Sequence, residues 1–275
     1  MSLYQFPRDI LTFQDASFEP LHGYARALNL IRRALTPRQK HWAHVSLRVN
    51  ATGLTTTPIP YQSDLFEMAL DFVKHRVIVN TSRGAQWETR LRGQPLSQFW
   101  DELNDALAEM KIFPNATEPE YTDAAPFYDA ACVEKYWRAL SQVDILLRQF
   151  RGELRQETSP VQFWAHHFDL AMLWFSGRLV SGQDANDEEQ ADEQMNFGFS
   201  VGDETIREPY FYITAYPLPE NFIGSKLPTG AYWHTSGFNG AVMLYKILAA
   251  SDEPDALLLE FWRSVQKRGE ELMRD

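Results

Sequence analysis

Apolar residues recur along this chain with two periods, and the switch from one to the other marks out its elements. Leu21, Tyr24, Leu28, Ile31 and Leu35 follow one another at three- and four-residue steps, which places them on one face of a helix that Pro37 ends. The same phase returns in Tyr136, Leu140, Val143, Leu147 and Phe150, a second amphipathic helix. After the first helix the period falls to two: Ala43, Val45, Leu47 and Val49 alternate with Trp42, His44, Ser46 and Arg48, the pattern of a strand with one apolar and one polar face. Phe66, Met68, Leu70 and Phe72 make the next such run. A tight turn near Lys74 then leads to Val77 and Val79, and a second at Ser82-Arg83-Gly84 leads to Trp87, Thr89 and Leu91. Connections this short exclude a parallel crossover, so the strands form an antiparallel meander. A helix capped by Ser97, with Phe99, Leu103, Leu107 and Met110 on its buried side, completes the run.

The remainder repeats this order. Phe163 to Phe175 reads as one long strand, Phe197 to Val201 and Pro209 to Tyr216 as two more, and Asp255 to Met273 as a closing helix. Short strings also occur twice in the same order: Tyr24-Ala25-Arg26-Ala27-Leu28 returns as Tyr136-Trp137-Arg138-Ala139-Leu140, Trp42-Ala43-His44 as Trp164-Ala165-His166, and Phe99-Trp100 as Phe261-Trp262. The expected fold is therefore α+β, with two similar halves at 1–118 and 119–275, each helix, antiparallel strands, helix, packed as one body. Residues 114–129 read as the linker, and the acidic run at 182–194 as a loop.

Composition narrows the partners. A chain of 275 residues that is 44% hydrophobic can bury about three quarters of its unfolded surface without staples. Its single cysteine, Cys132, excludes an intramolecular disulfide and fits a reducing compartment. No run resembles an export leader or a membrane span, so the expected setting is cytoplasmic, with no membrane partner. Residues 1–118 hold 13 Lys+Arg against 12 Asp+Glu and residues 119–275 hold 13 against 25. An acidic second half repels phosphate backbones, and no nucleic-acid partner is expected. The nearest basic cluster, Arg32, Arg33, Arg38 and Lys40, reads as a solvated helix end.

On the expected strand, Trp42, His44, Ser46 and Arg48 share one face. Indole, imidazole, hydroxyl and guanidinium together can stack on and hydrogen-bond an anionic or aromatic ligand. His44 is the candidate general base, because an unperturbed imidazole titrates near neutrality. The same pattern fits a covered sheet in which His44 is structural and Arg48 pairs with a carboxylate. Thr55, Thr56, Thr57 and Tyr61 sit in a loop pinned by Pro58 and Pro60, whose backbone is fixed enough to present hydroxyls or to serve only as a rigid connection. Tyr212 and Tyr216, with Tyr210, line a second polar-aromatic face.

His41-Trp42-Ala43-His44-Val45-Ser46-Leu47 followed by Gly53-Leu54-Thr55-Thr56-Thr57-Pro58-Ile59-Pro60-Tyr61 resembles the opening motif of a bacterial family known only as a domain of unknown function. Ser159-Pro160-Val161, Phe168-Asp169-Leu170-Ala171, Phe175-Ser176-Gly177-Arg178, and Phe211-Tyr212 with Ala215-Tyr216-Pro217 resemble its later segments. The resemblance spans nearly the whole length and implies no activity. Independently of it, Asp169 and Arg178 complete the candidate ligand-binding residues, Arg178 as an alternative to Arg48 for holding an anionic group. Where small residues are expected the chain has Ala165-His166-His167, so neither histidine gains a role from it.

No cofactor or metal is expected. No His-x-x-x-His pair falls on a helix, and His166 and His167, adjacent on a strand, would face opposite ways. Asp184-Ala185-Asn186 begins like a calcium loop, but Glu189 stands where glycine is needed. No Gly-x-Ser-x-Gly elbow or glycine-rich phosphate loop occurs. The reading that follows is a small-molecule-binding protein, with or without catalysis. A protein-interaction or self-associating module is the alternative, and a metal-dependent hydrolase the weaker one. The sequence assigns no oligomeric state.

Overall fold

The computed structural model describes residues 2–120, 127–187 and 189–273. Residues 121–126 of the expected linker and Glu188 of the acidic run lie outside the described residues. Contacts gather the chain into two compact units, Phe13–Trp137 with Gln162–Phe168, and Met1–Thr12 with Arg138–Val161 and Asp169–Asp275. One boundary falls between Trp137 and Arg138 and splits the string Tyr136-Trp137-Arg138-Ala139-Leu140, while Trp164-Ala165-His166 falls in the same unit as Trp42-Ala43-His44. Each unit is built on one antiparallel sheet with helices, an α+β arrangement.

The N-terminal unit opens with α1 (Phe18–Leu35). Leu21, Tyr24, Leu28 and Ile31 are wholly buried, and Thr36 turns the chain to an extended conformation before Pro37. The sheet comprises β1 (Arg48–Val49), β2 (Gly53–Thr55), β3 (Ile59–Tyr61), β4 (Asp64–Asp71), β5 (Arg76–Thr81) and β6 (Gln86–Arg90). Its order is β1-β2-β4-β5-β6, with β3 paired to the start of β4. Phe66, Met68 and Leu70 on β4 and Val77 and Val79 on β5 point inward with no exposure beyond 2%, as period-two patterning requires. Next comes α2 (Leu96–Glu109), where Phe99 stacks on Tyr24 at 4.3 Å. It begins after Pro95 without a side-chain cap, so Ser97 does not play the expected part. The first residues of α3 (Ala130–Glu153) also belong here, as does β7 (Gln162–Trp164), whose Phe163 exchanges backbone hydrogen bonds of 2.9 and 3.0 Å with Leu47.

Two expected strands are corrected. Residues 42–49 are not one strand: Lys40–Val45 is a 3-10 turn, Leu47 makes an isolated bridge to Phe163, and Arg48 and Val49 pair with β2. His41 and Trp42 take left-handed conformations (φ 56° and 54°), and side chains of α1 occupy the carbonyls a ladder would use, Asn29 bonding Val45 O and Arg32 bonding Ala43 O. The 163–175 strand is interrupted by a turn over 165–168, with Phe168 at φ 55°; its ring packs against Phe18, Tyr136 and Phe163.

In the C-terminal unit, β8 (Asp169–Leu179), β9 (Asp192–Ser200), β10 (Tyr210–Tyr216), β11 (Ala231–His234) and β12 (Gly240–Leu244) run antiparallel in the order β11-β12-β10-β9-β8. Asp192 and Glu193, expected in the acidic loop, begin β9. The apolar face carries Met172, Trp174, Phe197, Phe199, Phe211 and Ile213, all buried. It is covered by α3, through Phe150 against Phe197 at 5.1 Å, and by α5 (Pro254–Met273), through Trp262 against Phe211 at 6.3 Å. The short helix α4 (Tyr245–Ala249) precedes α5. On the opposite face Gly198 lies across from Tyr212, whose ring occupies the space a β-carbon at 198 would need. No helix among the described residues is long and apolar enough to cross a membrane.

Candidate functional site

Arg32 is the residue around which the N-terminal unit arranges its polar groups. It stands one turn beyond Leu28 on α1, so helical phase carries it onto the apolar stripe. Arg33, Arg38 and Lys40, its companions in the expected solvated helix end, are exposed, whereas Arg32 is 2% exposed. Its Nη1 donates to Thr57 Oγ1 at 2.8 Å and its Nη2 to Ala43 O at 3.0 Å. Nε is buried without a partner, and no carboxylate among the described residues pairs with the guanidinium. Burial pushes its pKa from 12.5 down to about 10. A buried charge held only by neutral oxygens is an expensive arrangement.

Two more donors near this end of α1 are left unpaired. Thr36 Oγ1, one helical turn after Arg32, and Trp42 Nε1, on the residue before Ala43, are both buried with no partner. Backbone strain gathers at the same place. His41, Trp42 and Thr57 have φ of 56°, 54° and 57°, and each such non-glycine residue costs on the order of 1–3 kcal/mol, most for a β-branched one. Trp42 stacks on His44 at 5.6 Å, and the Arg38 guanidinium lies 5.7 Å from the Trp42 ring centre.

The surrounding hydrogen bonds fix what each expected site residue can do. The Gln39 N–H donates to His44 Nδ1 at 3.3 Å, so a neutral His44 ring carries its proton on Nε2 and offers a donor rather than a base. Thr55 bonds Glu67 through its hydroxyl and accepts from the Thr57 N–H at 2.8 Å. Thr56 is wholly buried, and its hydroxyl accepts from Met68 N at 3.0 Å; it is committed to the backbone rather than presented. Arg48 donates to Ser46 Oγ at 2.7 Å and to Gln162 Oε1 at 3.4 Å, and Gln162 in turn donates to His41 O at 3.1 Å. The N-terminal unit thus joins Arg32, Thr57, Thr55 and Glu67, and, through the shared Ala43 carbonyl, Ser46, Arg48 and Gln162. Tyr61 stands apart, its hydroxyl accepting from Phe113 N at 3.1 Å.

The other candidates belong to the C-terminal unit. Tyr212 donates to Asp169 Oδ2, and burial, reinforced by that carboxylate, raises its phenol well above the ordinary value. Tyr210 makes the parallel bond to Asp203 at 2.5 Å. Arg178 is exposed and donates to Glu193 at 3.0 Å, which also accepts from Ser176 at 2.8 Å. Tyr216 is half-buried at the end of β10, opposite Gln194.

His166 and His167 lie in the turn after β7 with ring centres 4.2 Å apart, not on opposite faces of a strand. Among the described residues no group of three or more His, Cys, Asp or Glu side chains is placed to hold a metal ion. Sequence reasoning placed Arg32 at a solvated helix end, counted Thr57 among the hydroxyls of the loop at Pro58 and Pro60, and passed over Thr36; the one local signal for a buried Arg32 is the four-residue step from Leu28.

These features define an α+β protein with antiparallel sheets and a buried, carboxylate-free arginine. A family model described as "Family of unknown function (DUF5996)" matches residues 11–274, and the chain belongs to that family. No curated protein and no solved structure matches it.

Proposed function

We propose that this protein binds a small anionic molecule, a carboxylate or phosphate, with Arg32 as the anchor. The observation that carries the reading is the buried guanidinium whose Nε–H has no acceptor and whose charge has no carboxylate. An oxyanion supplies both at once, through the charge-assisted bonds that arginine forms best. The unpaired Thr36 hydroxyl and Trp42 indole N–H are further donors of the kind an oxyanion recruits, and the Trp42–His44 stack offers a flat neighbour for the ligand's body. Arg48, expected to hold the anion, is engaged with Ser46 and Gln162 and serves to brace the 41–46 segment. His44 acts as a donor here; general-base chemistry would first require the Gln39 N–H to leave Nδ1. A reducing, cytoplasmic setting fits the single cysteine, Cys132, whose thiol burial pushes up to about 11.

The test is a thermal-shift and calorimetric panel of small carboxylates and phosphomonoesters on the wild type and Arg32→Met. A ligand at a hundred times its Kd stabilises by about 2.7 kcal/mol, and that gain is expected only in the wild type. No response to any member, or an equal response in the variant, would count against the reading.

A further inference from the structure

We propose that the outer edge of β6 is a docking site for an extended acidic peptide, which adds to the sheet as a further strand. β6 ends the strand order of its sheet. The backbone bonds Leu91 N to His75 O at 2.8 Å and Thr81 N to Ala85 O at 2.9 Å show that odd-numbered residues of this strand face β5. Alternation then turns the N–H and C=O groups of Gln86, Glu88 and Arg90 outward. The Arg90 carbonyl accepts from Gln94 Nε2 at 3.2 Å; Gln86 and Glu88 keep their outward groups unpaired among the described residues, the template that strand addition uses.

Charge says which peptide fits. Beside this strand lies a groove of about 520 Å³ lined by Lys74, Arg76, Glu88, Thr89, Arg90 and Arg92. Four cations to one acid is a local reversal in a chain of net charge −11. Arg76 is held by Asp71 at 3.2 Å and by Glu88, and Arg92 by Glu102 at 2.9 Å. Lys74 and Arg90 make no ion pair among the described residues. Two uncommitted cations next to two open backbone positions match a strand with carboxylates at alternate residues, whose side chains share one face. A nucleic acid fits less well, because Asp71, Glu88 and Glu102 lie among the cations and phosphates cannot use the open amides in strand register.

The probe is a fluorescein-labelled Glu-Val-Glu-Val-Glu-Val-Glu peptide, followed by anisotropy against the whole protein. Saturable binding at concentrations up to ~1 mM is expected, weakened at least about tenfold in Lys74→Glu/Arg90→Glu. A peptide N-methylated on the amides facing β6 should lose affinity comparably, since it keeps its charge and loses its donors. Both substitutions are on the surface, and an unchanged melting temperature and circular dichroism spectrum establish that the variant is folded. The proposal is overturned if no binding occurs, if N-methylation has no effect, or if a single-stranded oligonucleotide of equal charge binds as tightly. It is also overturned if sedimentation shows the edge occupied by a second copy that the peptide does not displace.

Discussion

Replacing Arg32 with methionine separates a ligand anchor from a structural clamp. Moving its pKa from 12.5 to about 10 corresponds to roughly 3 kcal/mol of penalty on the charged form. Against this stand two hydrogen bonds from a charged donor, to Thr57 and Ala43, each worth about 1.5 kcal/mol at the low end for such bonds. The two contributions nearly cancel. Methionine keeps the apolar stem, and the Ala43 carbonyl retains the Ser46 hydroxyl at 3.3 Å. Arg32→Met is therefore expected to change ligand-free stability by less than about 1 kcal/mol, in either direction, while abolishing stabilisation by oxyanions. Equilibrium urea unfolding followed by tryptophan fluorescence measures the first quantity, and the same titration with saturating ligand the second. A ligand-free loss of about 3 kcal/mol or more, the usual cost of breaking a buried charged pair, would show the guanidinium to be a structural clamp. The reasoning would then fail.

Gly198→Ala places a β-carbon inside the Tyr212 ring and should cost about 1–3 kcal/mol by thermal denaturation. Adding Tyr212→Leu should make the double variant lose less than the sum of the singles. His22 is held neutral: burial, then Arg26, lowers its pKa from 6.5 to about 4, with the carbonyls of Ala165 and His166 opposing. Its folded pKa lies below the unfolded one, so its contribution is complete above pH 6.5 and is lost as pH falls toward 4, by up to about 3 kcal/mol. Unfolding free energies at pH 7 and 4.5 should fall further in the wild type than in His22→Leu; equal slopes would contradict the assignment.

The elements legible in the sequence are those whose local pattern and tertiary partners agree. The 64–90 meander shows itself because its alternation is unbroken and each turn joins neighbouring strands, as the β4–β5 and β5–β6 pairings confirm. The helices α1, α3 and α5 are equally plain from their stripes. The 42–49 segment alternates just as cleanly, yet Asn29 and Arg32, more than ten residues upstream, claim its carbonyls and coil it. Period two there describes neither the backbone nor the burial, because His44 and Ser46 are buried while Val45 is only half-buried. β11, β12 and α4 escape because runs of four and five residues carry too little periodicity to distinguish a strand or a helix from a loop. At the candidate site, Thr56 illustrates the limit: its hydroxyl looks available in sequence and is used up by Met68 N.

Arg32 and the β6 edge both attract anions, and they do so in different dielectric surroundings, which gives a way to tell their ligands apart. Arg32 is almost fully removed from water, so an oxyanion on it interacts at low effective dielectric and feels little of the ionic atmosphere. Lys74, Arg90 and Arg92 are exposed, and their pairs with a peptide are screened over a Debye length of about 8 Å at physiological salt. Raising ionic strength should therefore weaken peptide binding steeply and oxyanion binding only slightly. The acid excess lies in residues 119–275, 25 acidic against 13 basic, whereas 1–118, which carry Arg32 and the cationic groove, are close to neutral. An anion that reaches Arg32 must shed its water. The affinity available there is set by how far the strained His41-Trp42 and Thr57 backbones already hold the donors in place, since donors fixed before binding cost the ligand no further ordering.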